Sequence, residues 1–432
     1  MSEKTRTIKV DYLARVEGEG AMYLKIEDGK LKDVQLKIFE PPRFFEGFLQ
    51  GRSHTEVPDI TARICGICPV AYQMSSVLAM EDAMGIKVEG PLRDLRRLMY
   101  CGEWIASHAL HIYMLHAPDF LGYESAIHLA ADHPAEVLRG LEIKKTGGKV
   151  QSLLGGRNIH PISVRVGGFH KVPSKKELLT LKEPLEKARE ASLETVRWVA
   201  TLDFPEFEQD YTFVALRHPD EYAINEGDIV SSDGQEMTAG KFEQYIEEHH
   251  AKHTNALQCV VRKTQKPYHV GPLARYALNF DKLPPHIQAL AKEVGLGKSC
   301  SNPFKSIIVR AIELLYACEE ALRIIDNYVE PEKAFVDYKV KAATGCGATE
   351  APRGLLFHRY TVNEKGDIEK ANIIPPTAQN QKMIEDDLWK FVQKYIDLPD
   401  DKLQWQAEHA IRNYDPCISC SVHFLKLTVD RV

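Results

Sequence analysis

Two Cys-x-x-Cys pairs stand near opposite ends of this 432-residue chain, Cys65 with Cys68 and Cys417 with Cys420. Two residues between thiols allow both sulfurs of a pair to turn toward one metal ion, and four thiolates form a soft cage for zinc, iron–sulfur or nickel. Such pairs by themselves are typical of a structural zinc. The spacing therefore predicts a metal site that folding assembles from both ends, without choosing the metal.

Composition predicts a globular protein with a large core, because 44% of the residues are hydrophobic and 27% are charged. The net charge of −6 is well spread and the basic clusters are short, which argues against nucleic-acid or membrane-surface partners. No apolar run approaches the roughly 20 residues that span a bilayer. The first residues carry no signal-peptide core, so we expect a cytoplasmic protein.

Nine cysteines are too few and too irregularly spaced for a disulfide scaffold in a chain of this length, so a reducing compartment is expected. Five of them are solitary, and we interpret each as a small buried hydrophobe. These are Cys101, Cys259, Cys300, Cys318 and Cys346. Their order does not form the run of cysteines that binds an iron–sulfur cluster.

The hydrophobic pattern predicts an α+β fold with a mainly helical body. Residues 1–40 alternate in strand fashion around the turn signal Asp28-Gly29, which predicts an N-terminal antiparallel sheet. Apolar residues three and four apart predict helices, and turn-rich segments predict small peripheral β regions. The helical stretches are 72–116, 175–202, 304–328, 381–395 and 401–411, and the strand-rich ones are 213–240 and 336–374. Because both ends must meet at one site, we expect a single domain over residues 1–432.

Six motifs occur in order along the chain. They are Arg15-Val16-Glu17-Gly18; Arg43-Phe44-Phe45-Glu46 followed by Gln50-Gly51-Arg52; Gly155-Gly156-Arg157-Asn158-Ile159-His160-Pro161 with Gly167-Gly168; Glu350-Ala351-Pro352-Arg353-Gly354; Ile374-Pro375-Pro376-Thr377; and Asp415-Pro416-Cys417 through His423. With the first cysteine pair, they make the whole chain resemble the large, catalytic subunit of a [NiFe]-hydrogenase, most closely the cytoplasmic multisubunit type. The resemblance replaces the zinc interpretation and implies that family's fold.

The resemblance implies a nickel–iron centre that cleaves dihydrogen reversibly and heterolytically into protons and electrons. Cys65 and Cys417 would be terminal nickel ligands, whereas Cys68 and Cys420 would bridge nickel to an iron that carries carbon monoxide and cyanide. Four thiolates suit nickel in more than one oxidation state and leave an open position for the substrate.

Two further residues receive catalytic roles from the resemblance. Glu17 would accept the proton from Cys417, although a glutamate considered alone is usually a surface carboxylate. Arg353 would place its guanidinium over the open face of the metals, and a buried salt bridge is the alternative role for it.

A second metal site and a histidine cluster remain to be interpreted. The resemblance implies that Glu46 and His423 bind Mg²⁺, or Fe²⁺, and hold the C-terminal segment. His108, His111 and His116 lie on one helical stretch, and we interpret them as packed or hydrogen-bonded side chains rather than metal ligands.

Two positions depart from the family pattern. Tyr72 stands where a histidine usually follows the first cysteine pair, and Glu19 stands where a histidine often follows the N-terminal glutamate. Tyr72 could still donate a hydrogen bond toward a bridging sulfur, but a phenol is a weaker proton carrier than an imidazole near neutral pH.

The chain offers no cysteine run for an iron–sulfur cluster and no Gly-x-Gly-x-x-Gly turn, so we expect it to bind no cluster, flavin or nicotinamide itself. The resemblance implies an iron–sulfur small subunit, followed by flavin- and NAD(P)-binding diaphorase subunits. It also implies nickel-insertion factors and a maturation peptidase that removes residues 424–432 after His423.

Three alternatives stay open or are weakened by the sequence. A non-enzymatic hydrogen sensor would keep the four cysteines, although the extension at residues 424–432 favours an enzyme. The electron acceptor could also be a deazaflavin or polysulfide instead of NAD(P). A quinone-binding module of the respiratory complex I type shares the fold but lacks the four cysteines.

Overall fold

The computed structural model describes residues 5–40 and 44–422. Over these residues, strands form small antiparallel sheets of two or three members around a helical body, which confirms the predicted α+β class. The strands are β1 (Thr5–Val10), β2 (Gly20–Glu27), β3 (Lys30–Ile38), β4 (Val164–Arg165), β5 (Gly168–Phe169), β6 (Val214–Arg217), β7 (Asp228–Ser231), β8 (Glu236–Met237), β9 (Ile246–His250), β10 (Leu257–Val261), β11 (Ala343–Ala351), β12 (Gly354–Val362) and β13 (Ile368–Ile374).

Helices pack around a shared hydrophobic core. They are α1 (Phe45–Leu49), α2 (Val57–Thr61), α3 (Pro69–Met84), α4 (Gly90–Leu110), α5 (Ala117–Leu121), α6 (Ala126–Asp132), α7 (Pro134–Gly155), α8 (Lys175–Leu179), α9 (Lys182–Val199), α10 (Phe242–Tyr245), α11 (Pro272–Asn279), α12 (Pro285–Glu293), α13 (Ser306–Asn327), α14 (Pro376–Lys394) and α15 (Asp400–Arg412). A π-helix, His111–His116, continues α4. The helical and strand-rich stretches predicted from periodicity are thus confirmed. Within the described ranges, no helix is both long and apolar enough to cross a membrane.

The N-terminal sheet forms as its sequence predicts. β1, β2 and β3 pair antiparallel in chain order, and the turn between β2 and β3 falls at Asp28-Gly29. Both turn residues have positive φ, 49° and 72°, which is the conformation that a two-residue hairpin turn requires. Alternate side chains of β2, including Leu24 and Ile26, are fully buried, so one face of the sheet joins the core.

Helix α7 was not predicted, because its glycines weaken the helical signal. Those glycines permit close packing. A Cβ on Gly147 would lie 2.5 Å from the carbonyl oxygen of Gly102 in α4, and a Cβ on Gly140 would lie 2.4 Å from the ring of Tyr113. The helix therefore packs against α4 with backbone atoms in close contact, and it also buries the side chains of Ile143, Val150 and Leu154.

The hairpin of β11 and β12 is pressed against α3. A Cβ on Gly345 would lie 2.1 Å from the carbonyl oxygen of Ala79, so only glycine allows the strand to approach the helix so closely. Ser75 in α3 and Thr349 in β11 also share a hydrogen bond of 2.6 Å between their hydroxyls. This packing places the tip of the hairpin, at Pro352 and Arg353, beside the N-terminal end of α3, where the first cysteine pair lies.

Candidate metal centre

The first cysteine pair occupies the loop between α2 and α3. Cys68 is the residue before the first turn of α3, and Pro69 begins the helix, where its missing N–H has no consequence. The backbone amides of Ile67 and Cys68 both donate to Sγ of Cys65 at 3.3 Å. Amide donors directed at one sulfur favour its thiolate form, so the loop prepares Cys65 as a ligand.

The second pair follows the end of α15. The backbone turns at Asp415, which has a φ of 50°, and the amide of Cys417 then donates to Oγ1 of Thr377 at 2.9 Å. Residue 17 pairs with this segment in parallel: the Glu17 amide donates to the carbonyl of Pro416, and the Ile418 amide donates to the carbonyl of Glu17 at 2.8 Å. The N-terminal loop is thereby fixed to the second pair.

The four thiols converge on one point, which confirms the predicted meeting of the two pairs. Their Sγ atoms lie within 4.8 Å of one another, and all four residues are buried. The separations are 3.4 Å for Cys65 and Cys417, 3.9 Å for Cys68 and Cys420, and 2.8 Å for Cys417 and Cys420. These distances give the sulfurs the arrangement of a cage around a metal.

The protonation states of the thiols in the cage also fit the binding of a soft metal cation. Hydrogen bonding with the thiols of Cys417, Cys420 and Cys68 lowers the pKa of Cys65 well below its usual range. Burial raises the pKa of Cys417 well above its usual range. Four buried sulfurs cannot all ionise without positive charge nearby, and a bound metal would supply that charge.

Glu17 lies in contact with the cage. Its Oε2 accepts from Sγ of Cys417 at 3.1 Å and from the backbone amide of Ser419 at 3.1 Å. The side chain is partly buried rather than on the open surface. The residue expected to receive a proton from Cys417 is therefore within hydrogen-bonding reach of that sulfur.

Arg353 is buried at the tip of the hairpin and forms the buried salt bridge that was the alternative role for it, whereas its catalytic role stays a prediction. Its Nε donates to the carbonyl of Asp415 at 2.7 Å and its Nη2 donates to Oδ1 of the same residue at 3.0 Å. Burial opposes its charge, but the Asp415 carboxylate and the nearby sulfurs of Cys417, Cys68 and Cys65 outweigh burial and raise the pKa of the guanidinium further. A permanent positive charge thus lies next to the sulfur cage.

Two buried donors beside the cage have no hydrogen-bond partner among the described residues: Nη1 of Arg353 and the hydroxyl of Tyr72. Burial, followed by the charge of Cys420, raises the pKa of Tyr72 well above its usual range, so the phenol keeps its proton. Buried donors normally have partners. Two of them beside four thiols fit a metal group that carries hydrogen-bond acceptors of its own.

The hairpin tip is held by Arg275 of α11, which sequence reasoning missed. Its Nη1 donates to the carbonyl of Ala351 at 2.7 Å and its Nη2 donates to the carbonyl of Pro352 at 2.8 Å. The same guanidinium pairs with Glu313 at 2.8 Å and Glu350 at 3.0 Å, and all three side chains are fully buried. Charged residues inside otherwise apolar stretches were the available signal for this network.

The three histidines are packed or hydrogen-bonded side chains, as predicted, and all three are buried. His108 lies 3.0 Å from Glu313. Nε2 of His111 contacts the carbonyl of Arg412 at 2.8 Å, and Nε2 of His116 contacts Oδ1 of Asn413 at 3.0 Å. Burial lowers the pKa of His111 and of His116, so both are neutral. They support the turn that leads into the second cysteine pair.

The second metal site stays a prediction. Glu46 lies in α1, and its Oε1 accepts from the Ile373 amide at 2.8 Å. His423, Arg43 and residues 424–432 lie outside the described residues. The last described residue, Val422, is fully buried.

A buried carboxylate fixes the start of the second pair from another side. Oδ2 of Asp387 in α14 accepts from the hydroxyl of Tyr414 at 2.6 Å and from that of Tyr211 at 2.5 Å. Burial raises the pKa of Asp387 to about 7. Because α14 also provides Thr377, this helix holds residues 414 and 417 at two points.

Comparisons with known proteins agree with this geometry. The sequence model of the family described as nickel-dependent hydrogenase matches residues 43–139 and 259–423. The alpha subunit of sulfhydrogenase 1 of Pyrococcus furiosus is 34% identical over 424 residues, which are 97% of this chain and 98% of that protein. A second relative belongs to the F420-non-reducing hydrogenase vhu of Methanocaldococcus jannaschii and is 31% identical over 88% of this chain and 96% of its own length.

A solved structure matches over almost the whole fold. It is the NAD⁺-reducing [NiFe]-hydrogenase in the H2-reduced state, with a TM-score of 0.88 and 26% identity over 97% of this chain and 99% of that one. The chain therefore belongs to the nickel-dependent hydrogenase family, in which it is a large subunit. Its four cysteines, Arg353 and Glu46 lie within the matched segments, whereas Glu17 precedes them.

We predict that Asp387→Asn removes a pH-dependent part of the chain's stability. The folded pKa near 7 lies above the roughly 3.9 of an unfolded aspartate, so the folded state binds the extra proton between these values. Wild-type stability should then fall as pH rises from about 4 to 7, by at most about 1.4 kcal/mol per pH unit relative to the variant.

Urea unfolding at a series of pH values measures this difference. Asp397→Asn, a change at an exposed carboxylate just after α14, serves as the control and should leave the wild-type slope in place. Parallel pH profiles for wild type and Asp387→Asn would show that Asp387 does not bind the extra proton in the folded state.

Proposed function

We propose that this chain is the catalytic subunit of a [NiFe]-hydrogenase that reversibly cleaves dihydrogen into protons and electrons. The observation that carries the proposal is the contact of 3.1 Å between Sγ of Cys417 and Oε2 of Glu17 at the edge of a buried cage of four sulfurs. A structural zinc site needs the cage but has no use for a carboxylate acceptor beside one sulfur.

Cys65, Cys68, Cys417 and Cys420 would hold nickel, and Cys68 and Cys420 would also bind an iron that carries carbon monoxide and cyanide ligands. When bound, this centre would supply the redox and Lewis-acid chemistry that splits dihydrogen heterolytically. The unpartnered donors of Arg353 and Tyr72 would bind acceptor atoms on the iron ligands or the sulfurs.

The protein's own residues then accept the proton and transfer it. Sγ of Cys417 receives it, and Oε2 of Glu17 takes it over the 3.1 Å contact. Arg353 supplies a fixed positive charge where negative charge collects on the sulfurs, without needing to reorganise. Burial of the cage keeps bulk water from competing for these positions.

A partner must accept the two electrons, and we propose that an iron–sulfur small subunit binds at one groove on the surface. This docking groove has a volume of about 1100 Å³, and its lining includes Gly66 and Ile67, the residues between the first two cysteines. Leu141 and Ile159 line it as well and are 47% and 51% exposed. The lining also includes Lys144, Lys145 and Lys149, so the groove joins exposed apolar residues to positive charge. A partner bound there would lie next to the loop that carries the first two cysteines, which shortens the path for electrons.

The electron acceptor is proposed from the relatives. The structural match to an NAD⁺-reducing enzyme supports transfer through flavin- and NAD(P)-binding subunits in the cytoplasm. The relationship to a sulfhydrogenase favours polysulfide as the second candidate. We also propose a second metal, Mg²⁺, at Glu46 and His423, and removal of residues 424–432 after nickel insertion.

We predict that Glu17→Gln retains nickel and iron but loses most exchange between dihydrogen and solvent deuterium. An amide keeps the size of the side chain and cannot carry the proton, so the loss should be on the order of 10² or more. Exchange is followed by mass spectrometry, with metal content measured on the same samples. Undiminished exchange in a metal-replete variant would exclude Glu17 from the proton pathway.

The docking groove gives a separate prediction. Ile159→Glu replaces an exposed apolar side chain of the groove with a charge, so the variant should lose reduction of an electron-accepting dye and copurify with less of the small subunit. Exchange of dihydrogen with solvent needs no electron transfer out of the centre and should be retained. Trp389→Glu changes an exposed aromatic residue outside the groove and is the matched control. Normal dye reduction by Ile159→Glu would contradict the location of the interface.

A further inference from the structure

A second carboxylate, Glu40, is linked through one residue, Ser419, to the contact between Glu17 and the cage. Glu40 follows β3, and its Oε1 accepts from the hydroxyl of Ser419 at 3.2 Å and from the backbone amide of Glu19 at 2.7 Å. The side chain is partly exposed. It therefore lies between the interior of the site and solvent.

The N-terminal loop is shaped to admit this carboxylate. Gly18 has a φ of +88°, which favours glycine, and a Cβ there would lie 2.5 Å from Oε1 of Glu40 and 2.8 Å from Cβ of Ile418. Any larger residue would displace the carboxylate, the segment of the second cysteine pair, or both. The close approach of Glu40 to the site is thus part of the local fold.

Ser419 joins the two carboxylates. Its amide donates to Oε2 of Glu17 at 3.1 Å, while its hydroxyl donates to Oε1 of Glu40. A hydroxyl can accept a proton as it donates its own, which makes serine suitable for relay between two acids. The hydrogen bonds therefore connect the sulfur of Cys417 to a residue that reaches the surface through Glu17 and Ser419, with one break between the Glu17 carboxylate and the Ser419 hydroxyl.

We propose that Ser419 and Glu40 form the route by which the proton leaves Glu17 for solvent. The inference rests on the proposed role of Glu17 as first carboxylate acceptor. Glu17 passes its proton to Oγ of Ser419, which releases its own proton to Oε1 of Glu40, and Glu40 gives that proton to water. Both carboxylates and the hydroxyl return to their starting forms, so one proton crosses the route and nothing is consumed.

One side-chain rotation is needed for this transfer. Glu17 now accepts from the amide of Ser419, whereas the relay requires the hydroxyl, so the Glu17 or Ser419 side chain must turn between steps. Side-chain rotation is fast compared with turnover of most enzymes. The geometry thus permits a proton to be transferred along this route in every turnover.

A purely structural role makes different predictions for the same residues. If Glu40 only ties the loop at Gly18 and Glu19 to Ser419, a glutamine would keep these hydrogen bonds through its carbonyl oxygen and preserve function. A glutamine at position 40 cannot accept the proton, however, so the relay would be lost. Ser419→Thr keeps the hydroxyl, and Ser419→Ala removes it while leaving the amide contact to Glu17 in place.

The experiment uses the complete enzyme with Ser419→Ala, Ser419→Thr, Glu40→Gln, and Glu17→Gln as the reference. Glu19→Gln, which removes an exposed carboxylate in the same loop and keeps its backbone amide, is the matched control. Conversion of para- to ortho-hydrogen reports cleavage without release of the proton, and exchange with deuterated solvent reports release. Infrared difference spectra on addition of dihydrogen report protonated carboxyl groups, and metal content is measured throughout.

We expect Ser419→Ala and Glu40→Gln to lower solvent exchange about tenfold, since water replaces a missing relay group only in part, and to keep para-hydrogen conversion. Ser419→Thr and Glu19→Gln should behave as wild type. Glu40→Gln should also lose one carboxyl band from the infrared difference spectrum. If Ser419→Ala fails to retain metal, the result for Glu40→Gln alone tests the exit route, because Glu40 lies outside the cysteine segments.

Normal solvent exchange in metal-replete Glu40→Gln would overturn the exit route. If Glu17→Gln is impaired in that experiment, the proposed function of Glu17 survives and only the route beyond it is wrong. If Glu17→Gln is also unimpaired, the proposed proton acceptor itself fails.

Discussion

The pairing of residue 17 with residues 416–418 joins the two ends of the chain, and the rest of the site depends on it. Two backbone hydrogen bonds make this connection, and they bring the Glu17 carboxylate to Cys417 and Ser419. The pairing is local in space but spans nearly the whole sequence. Closing so long a loop costs chain entropy, which the packing of the helices and sheets between the two ends offsets, so the metal cage depends on the whole fold.

Buried charge is the second constraint on the site. Four sulfurs in a buried cage favour positive charge nearby, and Arg353 provides it while its own charge is balanced by Asp415. Arg275, with Glu313 and Glu350, then holds the hairpin tip that carries Arg353. Buried ion pairs bring little net stability, but removal of one partner leaves an unpaired charge in the interior. The network is better understood as a means of fixing position than as a source of stability.

Sequence reasoning predicted the parts of this site that rest on residue type and spacing. The cysteine pairs, the Asp28-Gly29 turn and the long amphipathic helices each carry a local signal, and the structure has them where expected. The signal in α7 was hidden, because its glycines serve close packing against α4 and weaken helical periodicity. Arg275 and Asp387 act through partners far away in sequence, so no local pattern could assign their contacts. Ser419 was visible only as a spacer between two cysteines.

The central claim is that the four sulfurs hold a nickel–iron centre rather than another metal. Metal analysis combined with infrared spectroscopy of the purified enzyme tests it most directly. The account predicts one nickel and one iron in equal amounts at the cage, with infrared bands from carbon monoxide and cyanide bound to the iron. Zinc alone, with no such bands, would contradict it.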